Sequence, residues 1–509
     1  MFVTLDNLGE WGVLRDGLPH DLPDNAFSDG MNVRFRDGYA EKFAGETEAY
    51  GASSIVPYHV TPLTAGTDRL WLEAGLNSIW SINSSAVHTN ITRASGPYAA
   101  TIDGGWVSTV LGGVAILNNG VDVPQAWGGS GLCTDLPNWP STLRARSVRT
   151  FRNFLVAMNV TKSGVNFPAM IKWSHGADPG TVPPSWDETD PTRDAGEGDL
   201  SDTPGGLIDG YALGDFLIVY KEGAYYALED VGGSQIIRAR LISSEAGMLA
   251  KNCVAQFPGG HLVLGQGDVY VHAAGAPQAI LTARARRWLF QNLDAQYYRR
   301  SFVVANPLAS EIWICFPQIA SEACDLALVW NWKQNAIAIR ELPEATHGAI
   351  GVVNADLANS WDSLTEPWAS LTKKWNQTPA SDAALRLVLA TRNNLRMVDS
   401  GANFAGTAFN AFVERTGMSF GDPHRVKVIK GVRPIIEGVT GSVFISMGGA
   451  MEPNAEPTWS APVEFRIGVD TQADAFASGR YISYRIESDQ SINWRVKRLD
   501  LELEMAGRY

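Results

Sequence analysis

Apolar residues along most of this 509-residue chain come in short runs broken by Gly, Asn or Asp, without the spacing of an amphipathic helix. In "RLWLEAGLNSIWSIN" (69–83), two apolar runs flank Gly75 and Asn77. "WVSTVLGGVAILNNGVDVPQAW" (106–127), "DGYALGDFLIVYKEGAYYAL" (209–228) and "PGGHLVLGQGDVYVHA" (258–273) repeat the arrangement. So do "SEIWICFPQIASEACDLALVWNWKQNAIAIREL" (310–342) and "LRLVLATRNNLRMVD" (385–399). Tight turns of these residue types between alternating runs specify β-hairpins. Helical patterning is confined to "ARARRWLFQNL" (283–293) and "DAQYYRRSFVVA" (294–305), and the second reads equally well as the entry to a strand. Hairpins recurring from 50 to 400 without a linker predict an all-β fold with a β-propeller, in which radial blades leave few open sheet edges. A row of separate sandwiches is the less favoured arrangement.

Beyond position 400 the pattern changes. "FNAFVERTGMSF", "RVKVIKGVRPIIEG", "GSVFISMGG", "PVEFRIGVD", "RYISYRIES" and "NWRVKRLDLELEM" alternate apolar and polar residues strictly. Half-buried antiparallel strands do this, so a C-terminal β-sandwich is expected over 401–509. The expected organisation is an N-terminal segment and hairpin (1–48), a propeller-like region (49–400) with an acidic insertion (174–210), and the sandwich. In the N-terminal "FSDGMNVRFRDGYAEKFAG" (27–45), alternation sends Val33 and Phe35 one way and Asn32, Arg34 and Arg36 the other. Asp37-Gly38 reads as a type I′ turn, and Asp29 as the cap of an entry turn in which Gly30 takes a positive φ. Arg34, Arg36 and Asp37 are then left to contact another domain or subunit.

Composition sharpens the fold and narrows the chemistry. Gly at 50 and Trp at 17 are high for this length, while the 45% hydrophobic and 19% charged shares are ordinary for a globular chain. No apolar run is long enough to span a bilayer. The start, "MFVTLDNLGEWG", lacks the pattern of a secretory signal, so the chain is expected to stay in the cytosol or to leave it by another route. Cys133, Cys253, Cys315 and Cys324 fit no zinc spacing and read as buried reduced thiols. The net charge of −13 weighs against a domain that grips phosphates, but not against a wall that DNA slides past.

Candidate chemistry is sparse. "DETDPTRDAGEGD" (187–199) has oxygen ligands at short spacing but not the order of a calcium loop. No Asp-box turn of the propeller sialidases occurs, and sequence alone selects no carboxylate pair for glycoside hydrolysis. The favoured reading of 174–210 is a solvated acidic loop, stiffened by prolines into an arm that reaches a neighbour through Asp187, Glu188, Asp190 and Asp194. The eight histidines fall into no HExxH or HxH, and there is no nucleophile elbow, Walker A loop or dinucleotide fingerprint. No enzyme, metal or cofactor is expected. "RARSVRTFRNFLV" (144–156), with Arg144, Arg146 and Arg149, and "TARARRWLF" (282–290) are local basic patches. They suit an acidic partner or phosphate, or are simply charged strand faces.

Three stretches carry a resemblance: "GLPHDLPDNAFSDGMNVRFRDGYAEKFAG" (17–45), "IKWSHGADP" with the region 195–228, and the end, "SGRYISYRIES" (478–488) followed by "WRVKRLDLELEMAGR" (494–508). Together they resemble the tail nozzle, or packaged-DNA-stabilisation, proteins of short-tailed double-stranded DNA bacteriophages. The resemblance implies a structural virion protein that forms a hexameric ring below the portal and the head-to-tail adaptor. It further implies tail fibres or spikes as neighbours, and a lumen that retains genomic DNA and then conducts it without specific binding. An acidic lumen would keep phosphates off the wall while a ring of loops blocks passage, and 174–210 is a candidate for a gate or an inter-subunit clamp. Two alternatives stay open: a polysaccharide-degrading tail propeller, and a monomeric interaction scaffold.

Overall fold

All six hairpins expected from the turn pattern form antiparallel ladders in the computed structural model, which describes residues 2–15, 18–233, 235–353 and 385–508. They belong to seven four-stranded antiparallel sheets among the described residues. Each sheet begins with an inner strand: His59–Ala65, Val107–Leu111, Leu143–Phe151, Leu207–Leu213, Val254–Phe257, Phe302–Asn306 and His347–Val352. Numbered in that order, the inner strands of blades 1–2, 2–3, 3–4, 5–6, 6–7 and 7–1 touch. Blades 4 and 5 are joined by Tyr220, whose hydroxyl bonds both His261 Nδ1 and His272 Nε2 at 2.8 Å. The result is a closed β-propeller.

Blade 7 is completed from the other end of the chain. Its outer strand is Glu46–Ala52, paired with Asn394–Val398, so closing the ring joins two segments far apart in sequence. Blade 3 escaped the turn pattern because its first hairpin turns at Arg152-Asn153, with Arg152 itself at φ 54° and no glycine to mark it. Its outer strand, Gly196–Asp199, lies inside the acidic insertion. The expected helix is present as Ala283–Asn292, capped by Thr282, and 294–305 passes through a single 3-10 turn into the strand Phe302–Asn306.

The remaining strands form the sandwich. One sheet runs Val33–Arg36, Tyr39–Lys42, Trp494–Arg508, Arg425–Gly438 and Ala477–Gly479, with Phe2–Leu5 also on Trp494–Arg508. The other runs Asp29–Met31, Ala411–Met418, Tyr481–Ser488, Ser442–Ala450 and Thr458–Trp459, with Val463–Arg466 on Ser442–Ala450. The N-terminal stretch therefore enters one sheet, bends, and continues in the other. The bend is Asn32, at φ 59°. Asparagine tolerates this left-handed geometry better than most residues, and here its side chain is fully engaged. Its Nδ2 donates to Glu341 Oε2 (2.9 Å) and to the Asn410 carbonyl (2.7 Å), and its Oδ1 accepts from the Glu341 amide (2.9 Å).

Asp37 and Gly38 take φ 53° and 78°, as a type I′ turn requires. Gly30 departs from expectation: it has no positive φ but is part of a strand, where Val13 and the Phe412 carbonyl approach so closely that a Cβ would crowd them. The alternation also fails on one side. Val33 and Phe35 are buried as expected, but Arg34 is buried too, because the hairpin is covered on both faces. One hydrophobic core runs from Leu262 of blade 5 through Trp313 and Ile339 of blade 6 to Phe35, Val413 and Tyr484 of the sandwich. All four cysteines are buried and unbridged.

Candidate functional site

The inner strands leave a cavity at one mouth of the propeller axis, of about 790 Å³. It is walled by the starts of inner strands and the connections that lead into them, including Trp106, Ala145, Asn252, Phe302 and His347. A second cavity, about 570 Å³, continues along the axis past His59, Ser108, Arg149 and Tyr211, and Asn252 and His347 line both.

Where the two meet, Arg149 closes a polar network across blades. Its guanidinium makes paired bonds to Asp209 (Nε to Oδ1 2.8 Å, Nη2 to Oδ2 2.5 Å) and lies 4.3 Å over the Tyr211 ring. It also donates to the Ser108 carbonyl and to Asn252 Oδ1, and Ser147 adds a hydroxyl donor to Asp209. Burial opposes charge on both partners. Their mutual attraction and hydrogen bonds outweigh it, so Asp209 stays below the usual carboxylate range and Arg149 stays firmly cationic. Beside them, the rings of His59 and His347 lie 4.0 Å apart, His59 Nε2 meets Ser108 Oγ at 2.8 Å, and the Val60 amide donates to His347 Nδ1. Burial, reinforced by neighbouring cations, keeps both rings neutral and lowers His347 to about 3.

The outer rim is differently arranged. Arg146, Lys251 and Arg299 all line the wider cavity. Lys251 Nζ donates to the Gly104 carbonyl (2.8 Å), and Arg299 Nε to the Tyr298 hydroxyl (3.3 Å). A Cβ placed on Gly120 would lie 3.8 Å from Lys251 Nζ and 3.9 Å from Arg146 Cα, so the Lys251 ammonium lies close to the backbone of the strand that carries Arg146. Burial, and then the charge of Arg146, lower Lys251 to about 7; burial and Arg299 lower Arg146.

The basic segment read from sequence is therefore a single inner strand whose arginines sit at three levels. Arg144 bonds the carbonyls of Val121 and Ser141, Arg146 faces the cavity, and Arg149 is buried in the network. Arg34 is ion-paired inside the chain with Asp399 and Glu311, with Phe43 4.4 Å beneath it. Arg36 pairs with Glu41 across its hairpin, and Asp37 forms the turn. Of the second basic patch, Arg286 pairs with Asp268, and Arg284 and Arg287 are exposed on the helix.

The acidic insertion is folded onto the propeller, unlike the extended arm expected. Trp186 is buried against Trp139 (ring centroids 4.6 Å), Glu188 pairs with Lys172, and Lys221 reaches in to the Leu200 and Thr203 carbonyls. Asp187 and Asp190 each close a local turn through Thr189 and Thr192, and Asp194 pairs with His175 at 3.2 Å. Among the described residues, no group of three or more His, Cys, Asp or Glu side chains is placed to hold a metal ion. No helix among them is long and apolar enough to cross a membrane.

Sequence reasoning missed Lys251, Asn252 and Arg299. All three lie in connections between blades, "GMLAKNCV" and "QYYRRSFV", whose only common property is where the ring closure carries them. No family model matches the sequence, and no curated protein does. Among solved structures, the chain is similar to the computationally designed protein Ika8 (TM-score 0.35, 10% identity, 69% of this chain and 99% of that one). It is also similar to the AfRom2 CNH domain (TM-score 0.36, 8% identity, 69% and 97%). A third is apo AztD from Citrobacter koseri (TM-score 0.34, 11% identity, 56% and 73%).

Proposed function

We propose that the chain is a structural virion protein of the tail nozzle type from a short-tailed bacteriophage. One observation carries the reading. The sequence stretches that resemble nozzle proteins at the two ends of the chain are neighbours in the fold: Tyr39–Lys42 pairs with Trp494–Arg508, and Asp29–Met31 and Tyr481–Ser488 flank the same strand, Ala411–Met418. Segments at opposite ends of a chain that resemble one family and also build one module are what a shared structural unit leaves behind. Locking the N-terminal strands into both the propeller and the sandwich also suits a part that must stay rigid under the pressure of packaged DNA.

In this reading six copies form a ring below the head-to-tail adaptor, with tail fibres or spikes attached. The lumen holds genomic DNA back and later conducts it without specific contacts. The net charge of −13 supports the second task, since an acidic surface gives phosphates nothing to adhere to. Sedimentation and negative-stain imaging of the purified protein, alone and with tail-adaptor complexes, test the proposal. A six-fold ring in either sample is expected. A chain that stays monomeric in both and shortens a capsular polysaccharide would overturn it. Particles assembled without the protein are expected to package DNA and then lose it.

A further inference from the structure

The rim of the propeller axis gathers cations that have no acidic partner, in a chain with acid to spare. Among the described residues, the Arg146 side chain makes no hydrogen bond or ion pair, Lys251 Nζ meets only carbonyls, and the Arg299 guanidinium meets only the Tyr298 hydroxyl and ring. Other basic residues on the same rim are paired: Arg300 with Asp103 at 2.8 Å, and Arg392 with Glu344 at 3.1 Å. The rim thus pairs its carboxylates with some cations and leaves three others in one cavity without an ion pair. Glu222 and Asp209 act on Arg146, and Asp103 and Glu222 on Arg299, only from beyond ion-pair range, and Asp209 and Asp103 are already committed to Arg149 and Arg300. Like charges held together in a concave, partly desolvated space repel one another unless a counter-charge enters. A cavity of about 790 Å³ falls in the size range of small-molecule sites, roughly 300–1,000 Å³.

We infer that this mouth is a binding site for a small ligand carrying a phosphate or another doubly charged oxyanion group, held by Arg146, Lys251 and Arg299. The two guanidiniums present planar donor pairs to the oxyanion, and the Lys251 ammonium supplies a point charge deeper in the funnel. The rest of the ligand occupies the polar remainder of the cavity, beside the amides of Asn119 and Asn166. The lowered proton affinity of Lys251 and Arg146 accords with a site that is incomplete when empty, since an anion beside them would restore both toward their ordinary values, whereas the Tyr298 hydroxyl already holds Arg299 above its own. The inference is independent of the nozzle reading and stands or falls without it.

Calorimetric titration of the full chain at pH 7 with inorganic pyrophosphate, ATP and adenosine is the test. Pyrophosphate and ATP are expected to bind saturably, one per chain, while adenosine gives no heat. Lys251→Met and Arg299→Gln should each weaken binding about tenfold, the value of one charge-assisted hydrogen bond. Arg193→Gln, in the acidic segment, should leave binding unchanged. Arg299 is exposed on a short turn, so R299Q tests the site even if K251M disturbs the fold. Absence of saturable binding by either phosphate compound would overturn the inference, as would equal affinity in wild type and R299Q. Tighter binding of a short DNA duplex than of ATP would overturn the small-ligand assignment.

Discussion

The joint between propeller and sandwich and the mouth of the propeller axis both collect cations, and they treat them in opposite ways. At the joint, Arg340 is fully buried, 2.7 Å from Glu46 Oε1, and its guanidinium lies 4.5 Å over Trp313 and 5.1 Å over Phe404. Arg34 beside it is matched by Asp399 and Glu311, and Asn306 holds the other oxygen of Asp399 at 2.7 Å. These carboxylates come from blade 6, from the end of blade 7 and from its closing outer strand, so the network pins the N-terminal hairpin to the propeller where the ring is sealed. At the mouth, three cations share a cavity with Asp103 and Glu322, and none of the three is ion-paired with either. A charge enclosed with its partner specifies one arrangement of the chain, whereas a charge left unpartnered beside a cavity is available to a ligand.

The contrast predicts unequal costs. Arg340→Met leaves Glu46 buried without its closest partner and should lower unfolding free energy by about 3–5 kcal/mol in urea denaturation. A loss under about 1 kcal/mol would mean that the joint does not depend on its pairing. Asn32→Ala should cost about 2–4 kcal/mol, combining left-handed strain with the orphaned Glu341 and Asn410 groups. Asn32→Gly should recover only the backbone share, about 1 kcal/mol, as read by the midpoint of thermal unfolding. Lys251→Met should change stability at pH 7 by no more than about 1 kcal/mol, because it breaks no ion pair.

A pH series sharpens the last case. The charged groups facing Lys251 are Arg146 and Arg149 of blade 3 and Asp209 of blade 4. With a folded value of about 7 against the ordinary 10.5, the unfolded chain binds the extra proton between those limits. Stability of the wild type relative to K251M should therefore rise as pH increases from about 7 toward 10.5, and remain flat below about 6. A relative fall over that window would show that Lys251 has a favourable partner in the folded state.

Much of this architecture was legible in the sequence. Runs such as "GGHLVLGQGDVYVH" fix hairpins locally, through glycine turns and alternating side chains, and the strict alternation after position 400 marks the sandwich strands. What was not legible depends on distance along the chain. Nothing near Glu46 announces that it closes a blade with Asn394–Val398, and nothing near Arg34 announces Asp399. Arg34 looked like a solvent-facing letter of an alternating strand because alternation reports one covered face, and here two are covered. The candidate site was half-visible: Arg146 belongs to a basic strand that sequence singled out, but Lys251 and Arg299 join it only through ring closure. The acidic segment misled in the other direction, since its charge density concealed Trp186 and an outer strand of blade 3.

Unlike the cations of the joint, those of the mouth gain an ionic partner only when an anion arrives. Proton uptake on sulfate binding measures this directly, because sulfate carries no titratable proton near neutrality. Calorimetry at pH 8 in two buffers of different ionisation enthalpy should show uptake approaching about one proton per sulfate in the wild type, as Lys251 regains its charge, and none in K251M. Binding without proton uptake, or identical uptake in both proteins, would contradict the account.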